Sequence, residues 1–184
     1  MATSSSQDFP AVIEFQVRNF WRLAKNQNDV ESPQIGHCRG FHYRLLIHPR
    51  GTAGTDSECS HLSVFLEAVR QDWYPDDWVF PNVRFELTVV NFKDPKQSVT
   101  SWAHWSFSND ATSRGWQKMV SHSRLTRQAG FLDEDGTVLI KGKAEPPYQT
   151  LWSRLPRYRP RAFFETIPPL PLTTTAAAQA AKHE

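Results

Sequence analysis

The sequence predicts an all-β protein folded as an antiparallel β-sandwich. Segments in which apolar and polar residues alternate recur along the chain, which is the pattern of half-buried strands. Turn-forming residues separate these segments at short intervals, and little of the chain has helical periodicity. Six or seven short strands at this spacing are typical of two packed sheets around one hydrophobic core.

Two strands are predicted in the first third of the chain. The first lies within Val12–Trp21, where Ile13, Phe15 and Val17 alternate with polar residues. The polar stretch from Ala24 to Gly36 is rich in turn-forming residues and is predicted as a loop. The second strand covers Phe41–His48 and ends at Pro49–Gly51.

The middle of the chain predicts two further strands. In His61–Arg70, Leu62, Val64 and Leu66 share one face, so Phe65 is an aromatic residue on the otherwise solvated face. Gln71–Asn82 contains two prolines and is predicted as a loop. Val83–Asn91 follows as a strand in which Phe85, Leu87 and Val89 are in phase.

The last part of the predicted domain is less regular. Thr100–Phe107 alternates loosely and is predicted as a strand, and Ser108–Gly115 is predicted as a turn-forming loop. Trp116–Leu125 is predicted as a short helical or irregular segment. An acidic turn precedes the final predicted strand, Thr137–Ala144.

Both ends of the chain differ in composition from this central region. Residues 1–11 are predicted to be a disordered lead, and residues 12–145 to form a single domain. Residues 146–184 are rich in proline and arginine and cannot supply central strands, so they are predicted to be a linker or tail.

Charge and hydropathy narrow the class of protein. The formal net charge is +2 with no dense block of Lys and Arg, which does not favour nucleic-acid binding. No run approaches the roughly 18 apolar residues of a membrane span, and the first residues lack the pattern of a secretion signal. With two cysteines, Cys38 and Cys59, a cytoplasmic or nuclear protein that does not bind membranes is expected.

Candidate catalytic residues are few. Cys38 and Cys59 lie beside His37, His42 and His61, so a cysteine hydrolase or a metal-dependent hydrolase is one hypothesis. The spacing matches no closed zinc pattern, and no nucleophile motif surrounds either cysteine. Asp133–Asp135 lacks the alternating ligands of a calcium loop. A non-catalytic protein without a cofactor or metal is therefore the preferred prediction.

Four aromatic residues have an unusual placement. Phe65, Phe85, Trp105 and Trp116 lie on or beside predicted strands, and the small or charged residues Thr112, Ser113 and Arg114 lie between them in sequence. Each aromatic alone is explained by the core. As a set they suggest a surface groove only if the fold brings them together.

Several segments in order resemble the MATH, or TRAF-like, domain family over about Val12 to Glu145. They are FHYRLLIHPRG, HLSVFLEAV, VRFELTVVN, HWSFSNDATSRGW and, as the strongest marker, GFLDEDGTVLIKGKAE. The resemblance is nearest to the MATH domains of speckle-type POZ ubiquitin-ligase adaptors and of ubiquitin-specific proteases. It implies an eight-stranded antiparallel sandwich with a groove in which short extended peptides lie beside a strand.

The resemblance also implies the groove residues. Phe65, Phe85 and Trp105 take the positions of the aromatic groove walls, and Ser113-Arg114-Gly115-Trp116 takes the place of the family's Asp-Trp-Gly-Phe loop motif. The glycine is kept and Trp116 replaces the phenylalanine. Arg114 replaces the tryptophan, which directs the expected preference towards acidic or phosphorylated peptides.

Three functions remain open from the sequence. The first is a peptide-binding module that recruits partners in ubiquitin ligation or deubiquitination, including the recruiting domain of a larger deubiquitinase. The second is the hydrolase named above. The third is a structural or oligomeric scaffold without a groove, although no heptad run predicts a coiled-coil trimer.

Overall fold

The computed structural model describes residues 12–26, 29–33, 35–52 and 60–147. Within these ranges the elements follow the predicted all-β pattern with one short helix. In chain order they are β1 (Ile13–Val17), α1 (Phe20–Asn26), β2 (Val30–Glu31), β3 (Gly36–Cys38), β4 (Phe41–His48), β5 (His61–Ala68), β6 (Val79–Val89), a 3-10 turn (Pro95–Gln97), β7 (Val99–Ser108), β8 (Ser113–Ser121), a second 3-10 turn (His122–Arg124) and β9 (Val138–Glu145).

The strands form two antiparallel sheets, which confirms the predicted sandwich. The first sheet has the order β1-β9-β6-β7, and the second has the order β2-β4-β5-β8. The short β3 pairs with the same edge of β4 as β2, at the opposite end of that strand. The described strands therefore occupy four positions in each sheet, as the resemblance to an eight-stranded sandwich implied.

The core lies between the two sheets and follows the alternation read from the sequence. In β4 and β9 every second residue is buried. The fully buried side chains come from both sheets, from α1 and from the loop before β9; the largest are Tyr43, Phe20, Phe41, Phe85, Phe107 and Phe131. Removing this apolar area from water is the main stabilising contribution to such a fold.

The first predicted strand is too long, because β1 ends at Val17 and the chain turns at Asn19. Asn19 has a positive φ of 53°, and its carbonyl accepts hydrogen bonds from the amides of Arg22 and Leu23. Phe20 and Ala24 then lie one helical turn apart and are both buried. The short helix is therefore held by its two core contacts, since seven residues alone do not form a stable helix.

The predicted loop at 24–36 is also partly wrong, because it contains the end of α1 and the short strand β2, and β3 begins at its last residue. β2 is held to β4 by the buried Ser32: its Oγ accepts from the Leu45 amide at 2.9 Å. Its own amide donates to the Leu45 carbonyl at 2.9 Å. A strand of two residues is too short to show period-two alternation, so β2 could not be recognised in the sequence.

The largest correction concerns Ser113–Ser121, which forms the regular strand β8. The sequence predicted a loop up to Gly115 and a helical or irregular segment from Trp116. The turn is shorter than predicted and centres on Asn109 and Asp110, closed by the mutual main-chain hydrogen bonds of Ser108 and Ala111. β8 lies at an edge of its sheet, where the inward-facing Arg114 is exposed and the consecutive residues Met119 and Val120 are both buried, so apolar and polar residues do not alternate along it.

The acidic turn before β9 is explained by its own hydrogen bonds. The Asp133 Oδ1 accepts from the amides of Asp135 and Thr137 at 2.9 and 2.7 Å. Asp133 therefore shapes the turn that starts the strand.

Among the described residues no helix is both long and apolar enough to cross a membrane.

Candidate functional site

The two sheets each end in an edge strand on the same side of the sandwich. β7 ends the first sheet and β8 ends the second. The contact that joins these edges is made by Arg114 of β8, whose guanidinium carbon lies 4.4 Å from the ring centroid of Trp105 of β7. An edge strand presents unpaired main-chain groups to which another chain can add.

The hydrogen-bond pattern identifies which main-chain groups of β8 are open. The amide of Ala68 in β5 donates to the Thr112 carbonyl at 2.8 Å. Since hydrogen-bonded positions alternate along an antiparallel strand, Arg114 and Trp116 also pair with β5. The amide and carbonyl groups of Ser113 and Gly115 therefore point away from β5, towards the open edge.

The inner wall of this edge faces the gap between the sheets. Arg114 and Trp116 stand opposite Leu66 and Val64, whose side chains point into the core. Trp116 is partly buried, with its ring centroid 5.5 Å from that of Phe85. Arg114 is exposed and stacks on Trp105, and within the described chain its guanidinium has no carboxylate partner.

Trp105 has a donor that the described residues leave unused. Its Nε1 is buried and has no hydrogen-bond partner among the described residues. A buried donor without an acceptor costs about 1 to 3 kcal/mol.

The outer wall of this edge is formed by Phe65 of β5, on the outer face of the second sheet. Phe65 is partly exposed, pairs with Gly115 and packs edge-on against His48 with ring centroids 5.5 Å apart. A Cβ at position 115 would overlap the main chain of Val64 and Phe65. Gly115 is therefore required by the close approach of β5, next to the register shift between Leu62 and Val64.

The structure places the predicted site residues in four environments. Phe65 lies on the outer face, whereas Trp105, Arg114 and Trp116 lie on the inner side of the edge. Ser113 and Gly115 supply open main-chain groups between them, from a strand and not from the predicted loop. Phe85 was predicted as a groove wall, but it is 1% exposed and belongs to the core, where its ring packs against that of Trp116.

Three residues beside Trp105 were missed by sequence reasoning. Asn82, His104 and Ser106 line a surface pocket of about 240 Å³ together with Trp105. Asn82 has a positive φ of 52°, its amide donates to Ser106 Oγ at 3.1 Å, and its Oδ1 lies 3.1 Å from His104 Nδ1. The usable signal was Pro81-Asn82, which interrupts an otherwise regular strand and marks the register shift seen in β6.

Two of the histidines considered for metal or hydrolase chemistry, His37 and His42, are in contact with their rings tilted by 45°. The ring centroids of His37 and His42 lie 4.6 Å apart, and burial lowers the pKa of both imidazoles. Cys38 is 1% exposed, so a substrate would not reach its thiol, and Cys59 lies outside the described residues. Among the described residues no three His, Cys, Asp or Glu side chains come together in a metal-binding group.

Comparison with known proteins agrees with this architecture. The family model described as "MATH domain" matches residues 12–141, which include every described strand up to the middle of β9. The chain belongs to the MATH domain family. MATH domains have a TRAF-like fold and act as protein–protein interaction modules that bind other proteins.

Relatives of this MATH domain occur in much longer proteins. A MATH and LRR domain-containing protein of Plasmodium falciparum is 47% identical over 156 residues, which cover 85% of this chain and 2% of that protein. A MATH domain and coiled-coil domain-containing protein of Arabidopsis thaliana is 28% identical over 137 residues, covering 72% of this chain and 44% of that protein. The chain thus spans less than half the length of these relatives.

The solved structure of TRAF5 from Notothenia coriiceps shares the fold of this MATH domain. It superimposes with a TM-score of 0.60 at 14% sequence identity, over 74% of this chain and 73% of that chain. At this identity the likeness extends to the arrangement of the strands alone. It confirms the TRAF-like sandwich predicted from the sequence.

Proposed function

We propose that this MATH domain binds short extended peptides of other proteins by adding them to the open edge of β8. The observation that carries the proposal is the pair of open main-chain positions, Ser113 and Gly115, between an aromatic outer wall and an aromatic inner wall. An added strand gains affinity from main-chain hydrogen bonds and selectivity from pockets for alternate side chains.

The two walls divide the side chains of such a peptide. Residues that point outward would meet Phe65 and the bare surface of Gly115, which leaves room for small or apolar groups. Residues that point inward would meet Trp105, Arg114 and Trp116. Because alternate residues of a strand face opposite sides, the expected motif has a period of two.

Arg114 sets the expected charge of the inward residues. Its guanidinium is exposed, stacked on Trp105 and without a carboxylate partner in the described chain. A guanidinium binds carboxylates and phosphates through paired hydrogen bonds. We therefore infer a preference for acidic or phosphorylated peptides.

The cellular role that fits these features is the recruitment of substrates or partners. Its assignment to ubiquitin ligation or deubiquitination is supported by the resemblance to the MATH domains of ligase adaptors and ubiquitin-specific proteases. Residues 12–145 are proposed as the peptide-binding unit and residues 146–184 as a linker or tail.

A peptide-array screen of the full chain tests the proposal. We expect the wild type to select acidic or phosphorylated peptides, Arg114→Lys to bind them about tenfold more weakly, and Arg114→Trp to lose this charge preference. Failure of all three proteins to bind any peptide, together with a mass that rises with concentration in light scattering, would favour the scaffold function.

A further inference from the structure

A second pocket lies at the opposite end of β8 from Arg114. It has a volume of about 380 Å³ and brings together α1, the turn after β4 and the 3-10 turn that follows β8. The described residues that line it are Trp21, Ala24, Lys25, Arg50 and His122.

The frame of this pocket is fixed by packing. Trp21, Ala24 and Lys25 are spaced three and four residues apart on α1 and so share one helix face. Trp21 is 44% exposed, and its ring lies edge-on to His122 with centroids 5.2 Å apart. The His122 Nε2 donates to the Pro49 carbonyl at 2.8 Å, which holds the turn carrying Arg50 against the imidazole.

The charge of the pocket is unbalanced. Lys25 and Arg50 form no ion pair or hydrogen bond with the described residues, and none of the described lining residues carries a carboxylate. Elsewhere in the described chain, Arg44, Arg70, Arg84, Lys141 and Lys143 each pair with Asp or Glu, whereas Arg114 does not. Two unpaired cations beside an exposed indole therefore give this pocket a net positive charge.

We propose that this pocket binds the phosphate group of a phosphorylated serine or threonine in a partner protein. Two unpaired cations match the charge of a phosphate monoester, which is about −1.5 to −2 at neutral pH, better than that of a single carboxylate. The Trp21 indole offers an apolar surface for the residue next to the phosphate. The site goes beyond the peptide-binding edge, because neither Lys25 nor Arg50 contributes to that edge.

The two sites are separated by most of one strand. Arg114 pairs with Leu66 and Ser121 with His61, so the two ends of β8 are five residues of β5 apart, which is about 17 Å. An extended partner segment that reaches both sites would carry its phosphorylated residue at least about five positions from the residue opposite Arg114. The phosphate pocket nevertheless binds independently of the edge, so the two assignments can fail separately.

Titration of the isotopically labelled full chain, followed by NMR of the tryptophan indole N–H groups, tests the pocket. The probes are three matched Gly/Ala peptides that carry phosphoserine, serine or glutamate at the centre. We expect the phosphoserine peptide to shift the Trp21 indole signal saturably, and the serine peptide to leave it unchanged. The double variant Lys25→Gln/Arg50→Gln should bind at least about tenfold more weakly.

A matched variant controls for the loss of surface charge. Lys96→Gln/Arg127→Gln removes two exposed cations that do not line the pocket and should bind like the wild type. Phosphoserine shifts confined to Trp105 and Trp116 would overturn the pocket and leave the peptide-binding edge standing. Equal binding of the glutamate peptide, or no shift of any indole, would overturn the phosphate assignment.

Discussion

Phe65 and Phe85 lie at similar points of neighbouring segments in the sequence but have different environments in the fold. Phe65 is partly exposed on the outer face of β5, where it contacts His48. Phe85 is 1% exposed and lies between the sheets, where it contacts Phe107 and Trp116. The same residue type therefore has a surface role in one strand and a core role in the other.

Alanine substitutions separate these roles. Phe85→Ala should lower the free energy of unfolding by about 3 to 5 kcal/mol, because it leaves a cavity in the core. Phe65→Ala should change stability little and weaken peptide binding by about 1 to 3 kcal/mol if Phe65 is a binding anchor. Chemical denaturation measures the free energy of unfolding of both variants, and peptide titration measures their affinity. If both variants lost the same stability, Phe65 would be a core residue and not a binding residue.

At the scale of elements, a proline substitution can test which main-chain amides of β8 point to the open edge. Ser113→Pro removes an amide that points to the open edge, so the pairing with β5 is retained and the fold should persist. A peptide that adds to β8 loses one hydrogen bond, which predicts binding weaker by about 0.5 to 1.5 kcal/mol.

The adjacent position provides the control for this variant. Arg114→Pro removes an amide directed at β5, so it should lower the melting temperature as well as binding. Circular dichroism and peptide titration compare the two proline variants. Undiminished peptide binding by a folded Ser113→Pro protein would show that partners do not pair with this edge.

The β3–β4 hairpin makes stability depend on pH. Burial is the main cause that lowers the pKa of His37 and His42, and the charge of His37 lowers the pKa of His42 further. His42 also faces the Tyr74 hydroxyl, the Gly40 carbonyl and the Trp73 ring. Protonating either imidazole is therefore harder in the folded chain than in the unfolded chain.

The sign of the effect follows from the lowered pKa values. Above pH 6.5, the ordinary pKa of histidine, both imidazoles are neutral in the folded and in the unfolded chain, so they do not lower stability. As the pH falls below 6.5, the unfolded chain takes up protons first, so stability declines. Thermal melts at pH 7.5 and 5.0 should show a smaller drop for His37→Gln than for the wild type, and an equal drop in the two proteins would contradict this prediction.

At the scale of the whole molecule, the last strand of the described residues, β9, has a central position. β9 lies between β1 and β6 in the first sheet, and its residues pair with both neighbours. The Pro146 carbonyl accepts a hydrogen bond from the Arg39 guanidinium at 2.6 Å, which joins the end of β9 to the β3–β4 turn. The chain up to Pro147 thus contains all the pairing that the described strands require.

Truncation tests this boundary. A chain of residues 1–147 should melt as cooperatively as the full chain and at nearly the same temperature, because no described strand is removed. A chain that ends at Gly136 lacks a central strand and should not fold. A large fall in melting temperature for residues 1–147 would instead place part of the 146–184 segment in the folded domain.

Much of the fold could be predicted because its signal is local. Phe41–His48 was predicted with the bounds that the structure shows, and the strands around Leu66, Leu87 and Ile140 were found from period-two alternation. Alternation appears wherever one face of a strand is buried and the other is not. It failed at β8, where the strand lies at an edge and the glycine at 115 carries no side chain, and at α1, which is too short to show a period.

The sequence by itself determined the family, the sandwich and the residue types of the candidate edge. Only the tertiary structure decided that Phe85 belongs to the core and that Arg114 covers Trp105. It also decided that the main-chain groups of Ser113 and Gly115 point to the open edge of β8. The pocket formed by Trp21, Arg50 and His122 was equally invisible in the sequence, because its walls come from three distant segments. Alternation of apolar and polar residues shows which face of a strand is buried. Which residues of the two sheets touch each other depends on how the sheets pack, and that packing depends on all the core side chains together.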